Sequence, residues 1–278
     1  MPAQPDLPLR PMTLGELLDA AMSLLRARAL PLLAVAGVLA VLEQSLLLPL
    51  RSAAGATAPY YGPARGHFGD WWALASVGFG LEVAVITLLG AVAAAAAGPA
   101  LLGRALPHRR LFRQVRPLAT ITTAVLAGLL AGAGAFAGFA PWVIFYGLSG
   151  LTAAVLVIDR SANPFTALGR SAKLAARGGL RGFWTLIAAY LTWFAVRFAL
   201  GSGWATIAST IGGDEPGLLA WITPVAWALA NAVAYSALAC VGAVLLLETR
   251  IRTEGLDIAV RRARSRGEDD AAALVWAK

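Results

Sequence analysis

The chain has 278 residues, of which 59% are hydrophobic and only 14% are charged, and its mean hydropathy is +0.70. A water-soluble domain averages about 25% charged residues, so this composition excludes an ordinary soluble globule and predicts an integral membrane protein. The net charge of +8 suits either a nucleic-acid binder or a membrane protein with its cations at one surface, and the distribution of the charges decides between them.

Six apolar runs are long enough to cross a bilayer, which takes roughly 20 residues of helix. They lie near residues 29–50, 72–102, 117–138, 140–158, 182–206 and 217–248. We therefore predict an all-α protein with one membrane domain over residues 13–260, a cytoplasmic tail before it (1–12) and a charged tail after it (261–278). The third and fourth runs have no charge between them, and Pro141 with Trp142 predicts a tight hairpin with an aromatic at the interface.

The positive charges alternate between the segments that join these runs. All but three of the 23 Lys and Arg residues fall in every second segment, and the exceptions are Arg51, Arg65 and Arg197. By the positive-inside rule, this bias predicts an inner (plasma) membrane protein with both termini in the cytoplasm. It also argues against nucleic acid as a partner, because no soluble domain is left to carry a basic patch.

Two amphipathic helices are predicted on the cytoplasmic side. Thr13 and Glu16 have the spacing of a capping box, and Asn163 followed by Pro164 suits the start of a second helix. We favour helices that lie in the headgroup plane over connectors buried against the bundle, because the second helix carries only basic charges. The cations expected to face anionic lipid there and at the last exit are Arg170, Lys173, Arg177, Arg181, Arg250 and Arg252.

The segment "RIRTEGLDI" follows the sixth run. We predict that the chain leaves the membrane here and that the side chains of Arg250 and Arg252 extend to lipid phosphate groups. Gly255 is expected to end or bend the helix, and "LDIAVRRARSR" to resume it along the surface.

Polar residues inside the runs are the main functional candidates. Glu43, Glu82, Arg197 and Asn231 would be costly in lipid, so they should face the bundle interior and find partners. Glu43 and Arg197 share a depth of about 21 Å at the helical rise, which predicts a charge pair, whereas Glu82 falls near mid-membrane. One interpretation is a polar site or pathway for an ion, a proton or a lipid headgroup. The other is an interhelical pair that fixes helix register.

The third run contains two GxxxG spacings, Gly128 with Gly132 and Gly134 with Gly138. Small residues let helices approach closely. Because the chain is rich in small residues throughout, we favour packing within the bundle over a dimer face, which leaves a homo-oligomer as an alternative.

The sequence lacks the usual catalytic signatures. His67 and His108, the two histidines, lie in loops on opposite sides, and Cys240 is the one cysteine, so we predict no metal site, no cofactor and no intrachain disulfide. There is no GxSxG, Walker A or HExxH motif. Glu268, Asp269 and Asp270 are expected to be solvated in the tail.

Three segments carry a resemblance to a known family: "RPMTLGELLDAAMSLLRARALPLL", "NPFTALGRSAKLAARGGLRGFW" and "LLLETRIRTEGLDI". They resemble actinobacterial-type relatives of the six-span membrane domain attached to glycerophosphodiester phosphodiesterases. The resemblance implies a fold without the catalytic domain, and therefore no hydrolase activity and no known ligand site.

These observations predict a non-enzymatic membrane module that binds lipid or a partner protein as part of a cell-envelope complex. The alternative is a transporter of a small solute or lipid, with a polar pathway around Glu43, Glu82 and Arg197. A lipid-modifying enzyme ranks last.

Overall fold

The computed structural model describes residues 7–56, 61–104, 106–161, 163–212 and 216–275, and all the regular structure in these ranges is helical. The helices are α1 Leu14–Ala27, α2 Ala29–Ala54, α3 Phe68–Leu101, α4 His108–Gln114, α5 Pro117–Phe136, α6 Ala140–Ser149, α7 Thr152–Ile158, α8 Pro164–Gly212, α9 Pro216–Glu254 and α10 Leu256–Ser265. A 3₁₀ turn at Ala272–Leu274 follows them.

Six stretches are long and apolar enough to cross a membrane: α2, α3, α5, α6 together with α7, α8, and α9. They correspond to the six predicted runs, so the prediction of an all-α multi-pass membrane protein is confirmed. The fourth stretch is interrupted between α6 and α7. There the Ser171 hydroxyl donates to the Leu148 carbonyl at 2.7 Å and accepts from the Leu151 amide at 3.2 Å, which satisfies backbone groups at the interruption.

Helix α8 contains a sharp turn at residues 177–180. Gly178 and Gly179 have φ angles of +62° and +72°, in the left-handed region that glycine adopts readily. Leu180 is also in this region, with a φ of +63°, which is uncommon for a branched side chain.

Both predicted amphipathic helices are present, and their caps form as expected. The Glu16 amide donates to Thr13 Oγ1 at 3.3 Å, and the Thr166 amide donates to Asn163 Oδ1 at 2.9 Å. Their apolar faces, however, are largely buried in protein: Leu17 on α1 and Leu174 on α8 are fully buried. Burial against the bundle, the interpretation that we did not favour, therefore describes these faces better.

Helix α9 is the central helix of the bundle. Every residue in 234–251 is buried, and α9 packs against α1, α2, α3 and α8. Met12 and Leu274 lie at the same end of the bundle, since their carbonyls accept hydrogen bonds from Arg252 and Arg250, both at 2.6 Å. We call this end, near residues 28, 101, 158 and 254, the basic end.

Helices α3 and α5 pack closely through glycine. A Cβ added to Gly80 would lie 2.8 Å from the Gly128 carbonyl and 3.1 Å from Gly132 Cα, so neither helix tolerates a side chain there. This agrees with packing inside the bundle. The hairpin from α5 to α6 forms as predicted, and Trp142 in the first turn of α6 is only 4% exposed, so its ring packs inside the bundle. Its position at the interface stays a prediction.

The chain after α9 folds back onto the bundle. Gly255 has a φ of +66° and separates α9 from α10, which confirms the expected break. The expectation of a solvated acidic cluster is wrong for Asp270, which is 7% exposed and pairs with Arg104 and Arg264. The last described residues therefore belong to the folded domain.

Candidate functional site

The four polar residues singled out from the membrane-spanning runs meet in one cluster. Glu82 on α3 and Arg197 on α8 are 3% and 5% exposed, and Arg197 Nη2 lies 2.7 Å from Glu82 Oε2. The Tyr190 hydroxyl donates to the same carboxylate oxygen at 3.0 Å. Tyr190 lies two helical turns before Arg197, so both side chains project from one face of α8.

Glu43 on α2 joins the cluster through residues of α9. Its two carboxylate oxygens accept hydrogen bonds from the Tyr235 hydroxyl at 2.8 Å and from Asn231 Nδ2 at 3.1 Å. The Tyr235 hydroxyl also accepts from Arg197 Nη1 at 3.0 Å. The prediction of a Glu43–Arg197 ion pair is therefore wrong. The two residues lie at a similar depth, but the Tyr235 hydroxyl lies between their side chains. Glu43, Glu82, Tyr190, Arg197, Asn231 and Tyr235 form what we call the polar cluster.

Aromatic rings surround the guanidinium of Arg197. Its Cζ lies 5.0 Å from the ring centre of Phe194, 5.4 Å from that of Tyr235 and 5.7 Å from that of Tyr190. Such cation–π contacts favour a cation over a ring face, most strongly where water is excluded. Arg197 is thus held in place by the Glu82 carboxylate, by the hydroxyl groups of Tyr190 and Tyr235 and by aromatic rings.

An open cavity of about 220 Å³ borders the polar cluster. Its lining combines polar cluster residues with aromatic side chains: Glu43, Gln44, Leu47, Arg51, Ala56, Tyr61, Leu74, Ala75, Gly78, Phe79, Glu82, Phe194, Arg197, Phe198, Trp227, Asn231 and Tyr235. Arg51, Ala56 and Tyr61 belong to the end of α2 and the segment after it. The cavity therefore leads from the polar cluster toward the end of the bundle opposite the basic end.

Three residues of the cavity lining each carry a buried acceptor atom that has no hydrogen-bond partner among the described residues. These atoms are Gln44 Oε1, Glu82 Oε1 and Asn231 Oδ1, and each of the three residues is at most 4% exposed. A buried acceptor without a partner costs about 1–3 kcal/mol. Buried acceptors without a partner, on residues that border a cavity, can be satisfied by a donor that enters it after a small side-chain adjustment.

The charges of the polar cluster do not balance. Glu43 and Glu82 face one buried cation, Arg197. Arg51 also belongs to the cavity lining, but its side chain forms no hydrogen bond or ion pair with any residue that the structure describes. The inner part of the cavity is therefore rich in carboxyl and amide oxygen atoms, and the cation Arg51 lies near its mouth.

The cations predicted to face anionic lipid occupy two kinds of position. Arg170 and Arg250 are 7% and 4% exposed, so their side chains are not at the surface where we expected them. Arg177, Arg181 and Arg252 are partly exposed and pair with Glu254 or Glu248. Lys173 is exposed.

Arg170 and Arg250 hold a buried ion-pair network together. Arg250 Nη1 lies 2.8 Å from Asp159 Oδ1, and Arg170 contacts the other oxygen of Asp159. Arg170 also donates to both oxygens of Glu254, at 3.0 and 2.8 Å, and Arg177 donates to one of them at 2.9 Å. We call Asp159, Arg170, Arg177, Arg250 and Glu254 the basic-end network.

Sequence reasoning missed several residues of both groups. The two tyrosines gave no signal, because tyrosine is common in apolar helices, although their spacing from Arg197 and Asn231 places them on the same helix faces. Asp159 and Glu254 were missed because they come from distant segments. Among the described residues, no group of three or more His, Cys, Asp or Glu could hold a metal ion.

The chain was also compared with known proteins. It matches no protein-family model, no curated protein and no solved structure.

Proposed function

We propose that this multi-pass membrane protein is a non-enzymatic binding module and that the cavity beside the polar cluster is its binding site. The observation that carries the proposal is the set of three unpartnered buried acceptors, on Gln44, Glu82 and Asn231, that line one cavity. A ligand that supplies hydrogen-bond donors would satisfy all three and remove the cost of their burial.

The chemistry of the cavity selects the class of ligand. The unpartnered atoms all accept hydrogen bonds, and carboxylates outnumber cations in the polar cluster, so an anion is disfavoured there. Phe79, Phe198 and Trp227 add ring surfaces that attract ammonium groups. The proposed ligand is therefore a lipid headgroup or small solute that carries an ammonium or several hydroxyl groups.

A binding role is better supported than transport. The cavity borders the polar cluster on one side, whereas residues 234–251 of α9 are buried without interruption toward the basic end. A transporter would require a second conformation that opens this packed region. Transport of the same ligand stays the alternative.

The proposal also includes how the protein is oriented in the membrane. It further includes the lipid headgroups that the protein contacts and the family to which it is related. The positive-inside rule supports a cytoplasmic basic end in a plasma membrane. Lys173, with the exposed parts of Arg177 and Arg181, would contact anionic headgroups there. The three motif segments support a relationship to the membrane domain attached to glycerophosphodiester phosphodiesterases, without its hydrolase activity.

Native mass spectrometry of the protein, extracted with its own lipids, tests the binding role. We expect a bound species of defined mass on the wild type and on the matched surface variant Glu268→Gln, and its loss from Glu82→Gln. Retention of the same species on folded Glu82→Gln would refute the site. If proteoliposomes made with the wild type move the identified ligand and those made with Glu82→Gln do not, transport replaces binding as the function.

A further inference from the structure

A second cavity, at the basic end, has the opposite chemistry. It has a volume of about 510 Å³ and lies between the ends of α3 and α7, the α4–α5 region and the C-terminal turn. Four arginines line it: Arg104, Arg113, Arg116 and Arg160. The rest of the lining is mainly apolar and includes Ala94, Gly98, Leu156, Val157 and Leu274.

No acidic side chain lines this cavity among the described residues. Arg104 is tied to Asp269 and Asp270, and Arg116 donates to the Ser161 carbonyl at 3.0 Å. The side chains of Arg113 and Arg160 form no hydrogen bond or ion pair with any described residue. Arg113, Arg116 and Arg160 have no carboxylate partner in the described part of the chain, so their charges repel one another and a bound anion would stabilise this arrangement.

The strained backbone conformation of Arg160 is an independent indication that this cavity has a function. Arg160 has a φ of +52°, in the left-handed region that residues other than glycine rarely adopt. It follows Asp159, whose carboxylate is fixed by Arg170 and Arg250 in the basic-end network. The network therefore anchors the residue before Arg160, while the Arg160 side chain contributes to the cavity.

We propose that this cavity binds the phosphate of an anionic phospholipid, with the arginines on the phosphate and the apolar lining against the start of an acyl chain. Guanidinium groups suit phosphate because their N–H groups match two oxygens at once. Ala94 lies seven residues inside the end of α3, about 10 Å at the helical rise, so the apolar part reaches well below the arginines. A simple solvated basic surface has no such apolar recess.

The C-terminal turn forms one wall of this site. Ala271, Leu274 and Val275 line the cavity, and the turn is held by the bond from Arg250 to the Leu274 carbonyl. A ligand would therefore contact the bundle and the C-terminal segment together. This site shares no residue with the cavity of the polar cluster, so each proposal can fail without the other.

The test uses delipidated full-length protein and its Arg113→Gln/Arg160→Gln double variant, titrated in detergent with phosphatidylglycerol and, separately, with inorganic phosphate. The matched control is Arg109→Gln/Arg110→Gln, which removes two exposed charges from the same end without touching the lining. Circular dichroism and thermal melting check that all three proteins fold alike.

We expect phosphatidylglycerol to bind the wild type and the control alike, and the double variant at least about tenfold more weakly, since it loses two charge-assisted contacts to the phosphate. If inorganic phosphate binds as tightly with the same dependence on Arg113 and Arg160, the site takes free phosphate and the lipid part of the proposal is wrong. Equal weakening in the control and the double variant, or no binding by the wild type, would overturn the site altogether.

Discussion

Two buried groups of charges lie in this bundle, and they differ in how completely they are satisfied. In the basic-end network, both oxygens of Asp159 and both of Glu254 contact guanidinium groups. In the polar cluster, Glu82 has one paired oxygen and one oxygen without a partner. The carboxylates of the basic-end network are thus fully paired, whereas the Glu82 carboxylate in the polar cluster is only half paired.

The difference separates a structural role from a binding role. The basic-end network links the segment after α7 to α8 and to the end of α9, so its charges serve one another. The polar cluster also links helices, but it borders a cavity and retains unused acceptors. Buried polar groups are normally satisfied, so the unsatisfied ones mark the place where a ligand fits.

The largest effect is expected when the basic-end network loses a carboxylate. Asp159→Asn leaves Arg170 and Arg250 buried with an uncharged partner, so we expect a loss of about 3–5 kcal/mol in the free energy of unfolding. Denaturant titration of the detergent-solubilised protein measures it, with Glu268→Gln as the exposed control. A loss below about 1 kcal/mol would show that this network is not structural.

Glu82→Gln should cost less, about 1–3 kcal/mol, in the same titration. Arg197 keeps the hydroxyl groups of Tyr190 and Tyr235 and its aromatic neighbours, and the adjoining cavity can admit water. A loss as large as that of Asp159→Asn would remove the contrast between the two groups.

A smaller effect is expected at the hydroxyl that joins the two halves of the polar cluster. Tyr235→Phe removes one hydrogen bond to Glu43 and one from Arg197, for an expected loss of about 1 kcal/mol. In a double-mutant cycle with Glu43→Met, the two losses should not add, because both changes remove the same hydrogen bond. Simple additivity would mean that Tyr235 does not couple the halves.

The smallest effect on stability is expected at the exposed ion pair of Arg10 and Glu16. Hydrogen bonds from Arg10 and Thr13 lower the pKa of Glu16 to about 2, so its ionised form stabilises the start of α1. This contribution is complete above the unfolded pKa of about 4.3 and is lost as the pH falls through about 2. Hydrogen exchange should therefore show constant protection of the first turn of α1 from pH 7 to 5 and a decline below about pH 4. The decline should be absent in Glu16→Gln.

The sequence predicted the spans and the helix ends well, because these depend on local chemistry. A span needs only about twenty consecutive apolar residues. The start of α1 depends on the pair Thr13 and Glu16, and the end of α9 depends on Gly255, so each feature is determined by residues that are close in the chain. The faces of α1 and α8 were assigned less well, since an amphipathic helix presents the same pattern to lipid and to a protein interior.

The candidate site was only partly predictable. Glu43, Glu82, Arg197 and Asn231 stood out because polar residues are rare in apolar runs, but their pairing depends on helix rotation, which depth along the chain does not reveal. Arg170 and Arg250 looked like surface cations because counting positive charges along the chain ignores acidic partners that the fold brings to them.

The most direct test of the central claim is Gln44→Met, compared with the wild type by native mass spectrometry and thermal melting. The Gln44 Oε1 atom has no hydrogen-bond partner among the described residues, so an apolar side chain of similar length should leave the melting temperature unchanged or slightly raise it. We predict that the bound species is lost while stability is retained. A lower melting temperature together with an unchanged bound species would contradict the claim that these acceptors serve a ligand.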